Sequence, residues 1–241
     1  MFYKYETHLH TSEASKCGSN TGAEMARAYK EAGYAGIFVT DHFLNGNTCI
    51  PRDISWEEQV ELFVKGYENA HREGEKIGLD VFFGWEFLNN PYGSEFLTYN
   101  LDKEFLLAHP GIDTMPIDEY ARLVRSSGGL LIQAHPYRTA SYILYDPDPK
   151  VDMVDGFEVN NNYSDTPHNH NHLTWELARA YPNLIRTTGT DIHSVNNVGI
   201  CGVAFKFRIE SSQHYVDALR AGEYYLIIDG KVADREGNIV E

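Results

Sequence analysis

Short apolar runs alternate with longer amphipathic segments along this chain. The runs at 35–40 and 129–134 are almost wholly apolar, which is typical of strands buried on both faces of a parallel sheet. Apolar runs bounded by turn residues predict nine strands, at 3–7, 35–40, 79–85, 95–100, 129–134, 155–159, 184–188, 203–207 and 224–228.

Helical spacing of apolar residues, together with residues typical of helix ends, predicts five helices. In the first, at 21–32, Thr21 and Glu24 have the spacing of a capping box, and Gly33 follows as the C-terminal cap. Segment 56–76 keeps near-helical apolar spacing throughout and is predicted as one long helix. The other helices are expected at 116–127, 172–181 and 212–221.

Strands that alternate with helices predict a parallel sheet in an α/β fold. No internal repeat, low-complexity tract or linker interrupts the pattern, so we expect a single domain over residues 1–241. When such units close into a barrel, the residues that carry chemistry gather at the carboxyl ends of the strands. These ends are therefore the place to look for a site.

The first predicted strand ends in Thr7-His8-Leu9-His10. Because side chains alternate along a strand, His8 and His10 share one face and can bind the same metal ion, while Leu9 points into packing. One such pair indicates little, since a histidine that ends a strand is more often a hydrogen-bonded loop residue.

Ligand-type residues also follow four later strands. They are Asp41 with His42, Glu86, His135, and Asp191 with His193. Burying so many polar and charged groups together is costly unless they coordinate metal. The five strand ends together predict a site for more than one metal ion.

The composition is that of an ordinary globular protein, with 42% hydrophobic residues and a formal net charge of −15. This charge argues against a nucleic-acid partner, because phosphate backbones are bound by basic surfaces. An anionic substrate would need local positive charge, such as bound cations. The three cysteines show no CxxC spacing, and no signal peptide or long apolar run is visible. We therefore expect a cytoplasmic protein with reduced thiols and no membrane span.

Five short motifs occur in a fixed order along the chain. They are HLHT at 8–11, TDH at 40–42, GWE at 84–86, AHP at 134–136 and GTDIH at 189–193. In this order they resemble the polymerase-and-histidinol-phosphatase (PHP) domain family, over residues 3 to about 194. The resemblance implies a distorted (βα)7 TIM-like barrel that holds two or three divalent ions (zinc, manganese or iron) at the C-terminal strand ends. It also implies hydrolysis of a phosphoester.

The resemblance further assigns each motif residue to an ion. It implies His8, His10 and Asp191 for the first ion, Glu86 as a bridge between the first and second, His135 for the second, and His42 with His193 for the third. The chemistry of a carboxylate suits the bridging position, since each oxygen can face a different cation.

Two positions depart from the commonest family pattern. Where many members have a histidine for the second ion, this chain has Glu95, which can serve as an oxygen ligand and would make the site more tolerant of manganese or iron. The alternative is a solvent-facing residue at the start of a strand. In the loop after His10, where the family usually offers a ligand for the third ion, this chain has Glu13 or no ligand.

Other polar residues have two interpretations each. Arg138 is a candidate for binding the substrate phosphate through its guanidinium, or a surface residue. His168, His170 and His172 look like a metal-binding tract, but a solvent-exposed or substrate-facing loop is the favoured interpretation.

Residues near the strand ends suggest how the ligands are held and what surrounds them. Glu158 and Asn160 end a predicted strand and are candidates for orienting the ligands. Aromatic loop residues predict a pocket with aromatic walls: Tyr137, Tyr142, Tyr145 and Tyr163.

The predicted reaction is hydrolysis of a small-molecule phosphomonoester by attack of a metal-bridging hydroxide, with Glu86, Asp191 and Arg138 as catalytic residues. Two alternatives remain open. An amidohydrolase-type enzyme that cleaves C–N bonds also begins with HxH and ends on a strand aspartate. Against it, Asp41, His42 and Glu86 would be additional ligands, and no bridging lysine stands out at a mid-chain strand end. The other alternative is a catalytically silent metal-binding PHP module.

Overall fold

All nine predicted strands form, and a tenth follows them. The computed structural model describes residues 1–141 and 143–241, and the strands of this part of the chain belong to one sheet. They are β1 (Tyr3–Glu6), β2 (Gly36–Val39), β3 (Asp80–Asn89), β4 (Ser94–Tyr99), β5 (Leu130–Ala134), β6 (Gly156–Asn161), β7 (Ile185–Gly189), β8 (Gly202–Phe205), β9 (Tyr225–Ile228) and β10 (Lys231–Ala233). Their order across the sheet is β10-β9-β8-β1-β2-β3-β4-β5-β6-β7.

The sheet is mixed, so the regular alternation expected from the sequence holds only in part. Strands β1, β2 and β3 are parallel, as are β5, β6 and β7, but β4 is antiparallel to both of its neighbours. No helix separates β3 from β4, because the turn 90–93 joins them as a hairpin. Reversal of β4 places its first residues at the edge where the parallel strands end.

The sheet curls until its first and seventh strands meet beyond their ends. Leu9 and Ile192 form a parallel bridge. The His10 amide donates to the Ile192 carbonyl at 2.9 Å, and the Ile192 amide donates to the His8 carbonyl at 3.2 Å. Strand β8 pairs with residues 3–5 of β1, which precede the bridge at Leu9 in the chain. The first and last sequence motifs are thereby placed side by side.

Helices cover the strands. They are α1 (Gly22–Glu31), α2 (Trp56–Phe63), α3 (Lys65–Ile77), α4 (Lys103–Ala108), α5 (Ile117–Ser126), α6 (Asn171–Ala180) and α7 (Ser212–Ala221). The capping box of Thr21 and Glu24 is present at α1. The short helix α4 was missed, although Asp102 caps it by accepting from the Phe105 amide.

The prediction of one helix over 56–76 is wrong, because the chain breaks at Val64 into α2 and α3. The break accompanies a close approach of α3 to the first motif. A Cβ on Gly66 would lie 2.1 Å from the Thr11 hydroxyl oxygen and 2.8 Å from an Asp41 carboxylate oxygen. The second part of the segment therefore packs against the strand ends, and helical periodicity does not reveal this contact.

The core beneath the strand ends is rich in aromatic residues. The Phe38 ring lies 5.3 Å from Tyr99 and 4.3 Å from Tyr215, all three side chains being fully buried. The Trp85 indole donates to the Tyr120 hydroxyl at 2.6 Å, so this buried polar group is satisfied. Among the described residues, no helix has the length and apolar character needed to cross a membrane.

Candidate metal centre

Glu86 lies at the middle of the converging strand ends. Its carboxylate is 1% exposed. One oxygen lies 3.1 Å from His8 Nε2 and 3.3 Å from His135 Nε2, and the other lies 2.8 Å from His42 Nδ1. Three motifs from different strands therefore converge on one carboxylate.

Asp191 gathers a second set of imidazoles. One carboxylate oxygen lies 3.1 Å from His10 Nε2, 3.5 Å from His8 Nε2 and 3.7 Å from His193 Nε2. The Asp191 backbone has φ +54° and that of His135 has φ +29°. Left-handed backbone at a residue other than glycine is costly and is typical of functional sites.

Glu95 joins the same cluster from the start of β4. Its carboxylate lies 3.4 Å from His135 Nε2 and 3.6 Å from His42 Nδ1. The solvent-facing alternative for this residue is therefore wrong, since its side chain is 9% exposed. Its position follows from the antiparallel β4, in which Glu95 pairs with Ala134, the residue before His135.

These side chains form four overlapping groups suited to metal binding. They are His8-His10-Asp191, His8-Glu86-His135, His42-Glu86-Glu95 and His10-His42-His193, and the ligand atoms within each group lie within 4.8 Å of one another. His8 Nε2, His42 Nδ1 and a Glu86 oxygen are buried without a hydrogen bond from the described residues. Such atoms are costly to bury, and here they face one another, so the cluster fits divalent ions.

Opposite charges inside the cluster shift its ionisation. Burial alone would lower the pKa of His8, but the charges of Glu158, Asp191 and Glu86 raise it well above its usual value. Burial alone would raise the pKa of Glu86, but His8 and His42 hold it well below the usual range. His8 and Glu86 therefore stabilise each other's charged forms.

Other pKa values move in the opposite direction. Burial and the neighbouring His42 lower the pKa of His10 to about 3. Burial and the charge of Glu86 raise the pKa of Glu95. Both pKa shifts reflect burial first and neighbours of the same charge type second, and deprotonated ligands around bound cations would relieve this crowding.

Solved structures of other proteins have a similar fold. No protein-family model and no curated protein sequence matches the chain. A two-domain protein from Bacteroides vulgatus, described as containing a predicted PHP-like metal-dependent phosphoesterase, aligns with 96% of this chain and 66% of its own, at 14% identity and a TM-score of 0.69. This chain shares the fold of that PHP-like protein.

Two further solved structures share this fold. PsfC from Pseudomonas syringae aligns with 94% of this chain and 91% of its own, at 18% identity and a TM-score of 0.62. Endonuclease Q, in complex with a 27-mer duplex substrate with an abasic lesion, aligns with 92% of this chain at 14% identity and a TM-score of 0.62. This chain spans just under two thirds of the Bacteroides protein and 57% of the Endonuclease Q chain.

Within this fold, Glu158 supports the clustered imidazoles from behind. Its carboxylate lies 3.0 Å from His8 Nδ1 and accepts from the His135 amide at 3.2 Å. Asn161 donates to the same carboxylate at 2.7 Å. Asn160, the other residue suggested by the sequence, instead donates to the Asn162 carbonyl at 2.8 Å. A bulge in the pairing of β6 and β7 between Glu158 and Asn160 explains why the alternation of faces fails there.

Two buried carboxylates, Glu6 and Asp41, hold the loops, and sequence reasoning singled out only Asp41, as a ligand-type residue. Glu6, fully buried, accepts from the amides of His8 and Thr190 at 3.0 and 2.9 Å. Asp41 accepts from the Thr11 amide and from the Ser15 hydroxyl, each at 2.6 Å. Asp41 is therefore part of the support for the first motif. Glu6 is a charged residue within the first predicted strand, and this was the one feature of the sequence that could have indicated its buried role.

Arg138 lies beside the cluster and already has protein partners. Its guanidinium contacts an Asp191 carboxylate oxygen and donates to Asn161 at 2.7 Å and to Asn169 at 2.8 Å. Burial alone would raise the pKa of Asp191, but Arg138 and His8 hold it well below its usual range. Arg138 is thus placed to fix the Asp191 carboxylate.

Two other sets of candidates lie outside the cluster. Glu13 turns away and accepts from the Gly22 amide at 3.1 Å and from Asn69 at 3.0 Å, so it caps α1 and cannot reach the imidazoles. The tract of His168, His170 and His172 is at the surface, where His170 lies 2.9 Å from the Thr139 hydroxyl. A solvent-exposed loop was the favoured interpretation of this tract.

Above the cluster is a cavity of about 580 Å³. Its walls include His193, Arg138, Glu95, Cys17, Leu88 and Pro91. Of the tyrosines predicted to form aromatic walls, Tyr145 has its ring 5.2 Å from that of Tyr92 in a tilted contact, and Tyr163 is exposed. Tyr142 lies outside the described residues.

Proposed function

We propose that this protein is a metal-dependent phosphoesterase that hydrolyses small phosphomonoesters. The observation that carries the proposal is the position of Glu86, a buried carboxylate whose two oxygens face imidazoles from three different strand ends. A carboxylate placed in this way suits two adjacent cations, the arrangement used in two-metal phosphoryl-transfer sites.

The group of His8, His10 and Asp191 supports the assignment that the motifs imply for the first ion. We assign the first ion to His8, His10 and Asp191, the second to His135 and Glu95, and the third to His42 and His193, with Glu86 between the first and second. The geometry supports Glu95 as the residue that replaces the usual histidine, since it approaches His135 to 3.4 Å.

When bound, the ions would supply an activated water and neutralise charge on the phosphate oxygens. The protein's own groups do the rest. Glu86 and Asp191 fix the ligand set, and burial of their carboxylates excludes bulk water from them. Arg138 holds Asp191 in place, while its phosphate-binding role remains a prediction. In a chain of net charge −15, the ions are also what would attract an anionic substrate.

The size of the cavity favours a small substrate. A volume of about 580 Å³ falls within the usual range for small-molecule pockets. The shared fold of Endonuclease Q makes a nucleic-acid phosphodiester the natural competing substrate, and the acidic composition argues against it.

The test is turnover by the metal-stripped protein after zinc, manganese or iron(II) is restored. The substrates are a chromogenic phosphomonoester, a DNA duplex with an abasic site, and a chromogenic amide. We expect metal-dependent hydrolysis of the monoester. We also expect Glu86→Gln to lower kcat/KM about a thousandfold, because several kcal/mol of transition-state stabilisation are lost. Glu176→Gln, an exposed change on α6, is the matched control.

Each contrary result has a distinct meaning. Cleavage of the amide alone would favour the C–N hydrolase, and cleavage of the duplex alone would favour a nuclease. If stoichiometric metal binds but none of the three substrates is turned over, the silent metal-binding module is the better description. Undiminished monoester hydrolysis by Glu86→Gln would contradict the proposed site.

A further inference from the structure

The tract at 168–172 alternates histidine with asparagine, and the asparagines are its buried members. His168 and His172 are exposed, whereas Asn169 and Asn171 are each 3% exposed. A buried amide needs hydrogen-bond partners, and those of Asn169 lie beside the metal cluster. The tract therefore reaches the site through an amide.

Asn169 joins Arg138 to Asn161. Its Oδ1 accepts from Arg138 Nε at 2.8 Å, and its Nδ2 donates to Asn161 Oδ1 at 2.7 Å and to the Asn161 carbonyl at 3.0 Å. Asn161 Oδ1 also accepts from Arg138, at 2.7 Å. Because a guanidinium can only donate, the oxygen atoms of both amides must face Arg138, which fixes the orientation of each.

Arg138 connects these amides to Asp191. Its guanidinium contacts Asp191 Oδ2, while Asp191 Oδ1 lies 3.1 Å from His10 Nε2 and 3.5 Å from His8 Nε2. The donors of a guanidinium lie in one plane with fixed directions, so a partner on Nε determines where the other nitrogen atoms point. Asn169 thereby helps to determine which Asp191 oxygen is turned toward the imidazoles.

We propose that Asn169 is a positioning residue for the first metal ion, acting through Arg138 on Asp191; this rests on the metal centre proposed above, but not on its phosphoesterase activity. Loss of the amide removes the acceptor on Arg138 Nε, so the guanidinium can turn and the Asp191 carboxylate can turn with it. Partners that orient metal ligands typically change metal affinity about 10- to 100-fold. We therefore expect the first ion to bind more weakly without Asn169.

Asn171 provides the matched control within the same tract. It is as buried as Asn169, but its Oδ1 accepts from the Asn161 amide at 3.1 Å and its Nδ2 donates to the Tyr163 carbonyl at 3.2 Å. Asn171→Ala thus removes a buried amide and its hydrogen bonds while the acceptor on Arg138 Nε remains. A purely structural role of the tract would give the two alanine variants the same properties.

The first measurement uses the full chain without metal. The Nε–H proton of Arg138 gives an NMR signal that is assigned by its loss in Arg138→Lys. Since Asn169 accepts from this group, we expect slow exchange of the proton with water in the wild type and in Asn171→Ala, and fast exchange in Asn169→Ala. Slow exchange in Asn169→Ala would overturn the proposal.

The second measurement is a double-mutant cycle for zinc affinity, by competition with a fluorescent chelator. We expect Asn169→Ala and Arg138→Ala each to weaken the first ion about tenfold, and the double variant to bind it no more weakly than Arg138→Ala. Asn171→Ala should stay within about threefold of the wild type. Additive losses in the cycle, or equal losses in the two tract variants, would show that Asn169 does not act through Arg138.

Asn169→Ser guards against a change in folding. It keeps a polar group at the buried position, but its single donor cannot replace both hydrogen bonds to Asn161. It should also show fast exchange of the Arg138 proton and weaker zinc binding, and wild-type behaviour of this variant would contradict the proposal. No turnover is measured, so the result is independent of the phosphoesterase activity. Absence of zinc binding by the wild type would overturn the metal centre and this role of Asn169 together.

Discussion

His8 is held between two carboxylates, with Glu158 3.0 Å from its Nδ1 and Glu86 3.1 Å from its Nε2. The contact with Glu158 fixes which nitrogen faces the centre of the site. Removal of such a partner behind a ligating histidine typically weakens metal binding.

We therefore expect Glu158→Gln to lower the affinity for the first ion about 10- to 100-fold while the protein stays folded. Competition with a fluorescent zinc chelator measures this, and Glu176→Gln on the surface of α6 is the control. Equal affinities for the two variants would mean that Glu158 serves the fold alone.

Arg138 has two candidate roles that give different kinetics. Its contacts with Asp191, Asn161 and Asn169 favour a positioning role. We expect Arg138→Ala to lower both kcat and metal content, with KM nearly unchanged. An increase in KM at full metal content would instead support the phosphate-binding role predicted from the sequence. Arg122→Ala, which breaks an exposed ion pair with Asp118, is the control.

Gly189 permits the close packing behind the ligands. A Cβ at this position would lie 2.3 Å from a Glu158 carboxylate oxygen and 2.6 Å from the His8 Cβ. We expect Gly189→Ala to lower the free energy of unfolding by about 1–3 kcal/mol, because the added methyl group is forced into a packed site. Denaturant unfolding of the metal-free protein measures the change.

The control for that change is Gly46→Ala, where the nearest atoms would lie at an ordinary 3.4 Å. It should alter the free energy of unfolding by less than about 0.5 kcal/mol. If both variants are equally stable, β7 can shift away from His8 and the packing is looser than these distances indicate.

Asp41 predicts a pH dependence of stability in the metal-free protein. Burial raises its pKa from 3.8 to about 6, so ionisation is easier in the unfolded chain. The contribution of Asp41 to stability is therefore greatest below pH 3.8 and falls as the pH rises to about 6. The total loss is about 3 kcal/mol.

Asp41→Asn removes this titration. The free energy of unfolding of the variant minus that of the wild type should increase by about 3 kcal/mol as the pH rises from 4 to 7, because only the wild type loses stability over this range. Urea unfolding at several pH values tests this, with the exposed Asp53→Asn as control. A difference between variant and wild type that stays constant with pH would contradict the ionisation assigned to Asp41.

Much of the fold and of the cluster could be predicted because both depend on local patterns. The apolar runs located nine strands, and ligand-type residues at strand ends identified the side chains that converge on Glu86. The features that could not be predicted depend on how strands are oriented and which distant segments come into contact. The direction of β4 decides where Glu95 lies, and a hairpin with no helix carries no periodicity that reveals it.

The supporting residues were harder to find for a similar reason. Glu6 accepts hydrogen bonds from Thr190, 184 positions away, and nothing near Glu6 in the sequence indicates that contact. The bulge in β6 exchanges Asn161 for Asn160, a change of one position that alternation along a strand does not anticipate.

The bridge between Leu9 and Ile192 has a consequence for the order of events during synthesis. It joins Leu9 to a residue 183 positions later in the chain. Until Asp191 emerges from the ribosome, His8 and His10 have no carboxylate partner on the β7 side. A growing chain would thus lack one ligand of the proposed first ion, and stable loading of that ion would follow the formation of β7.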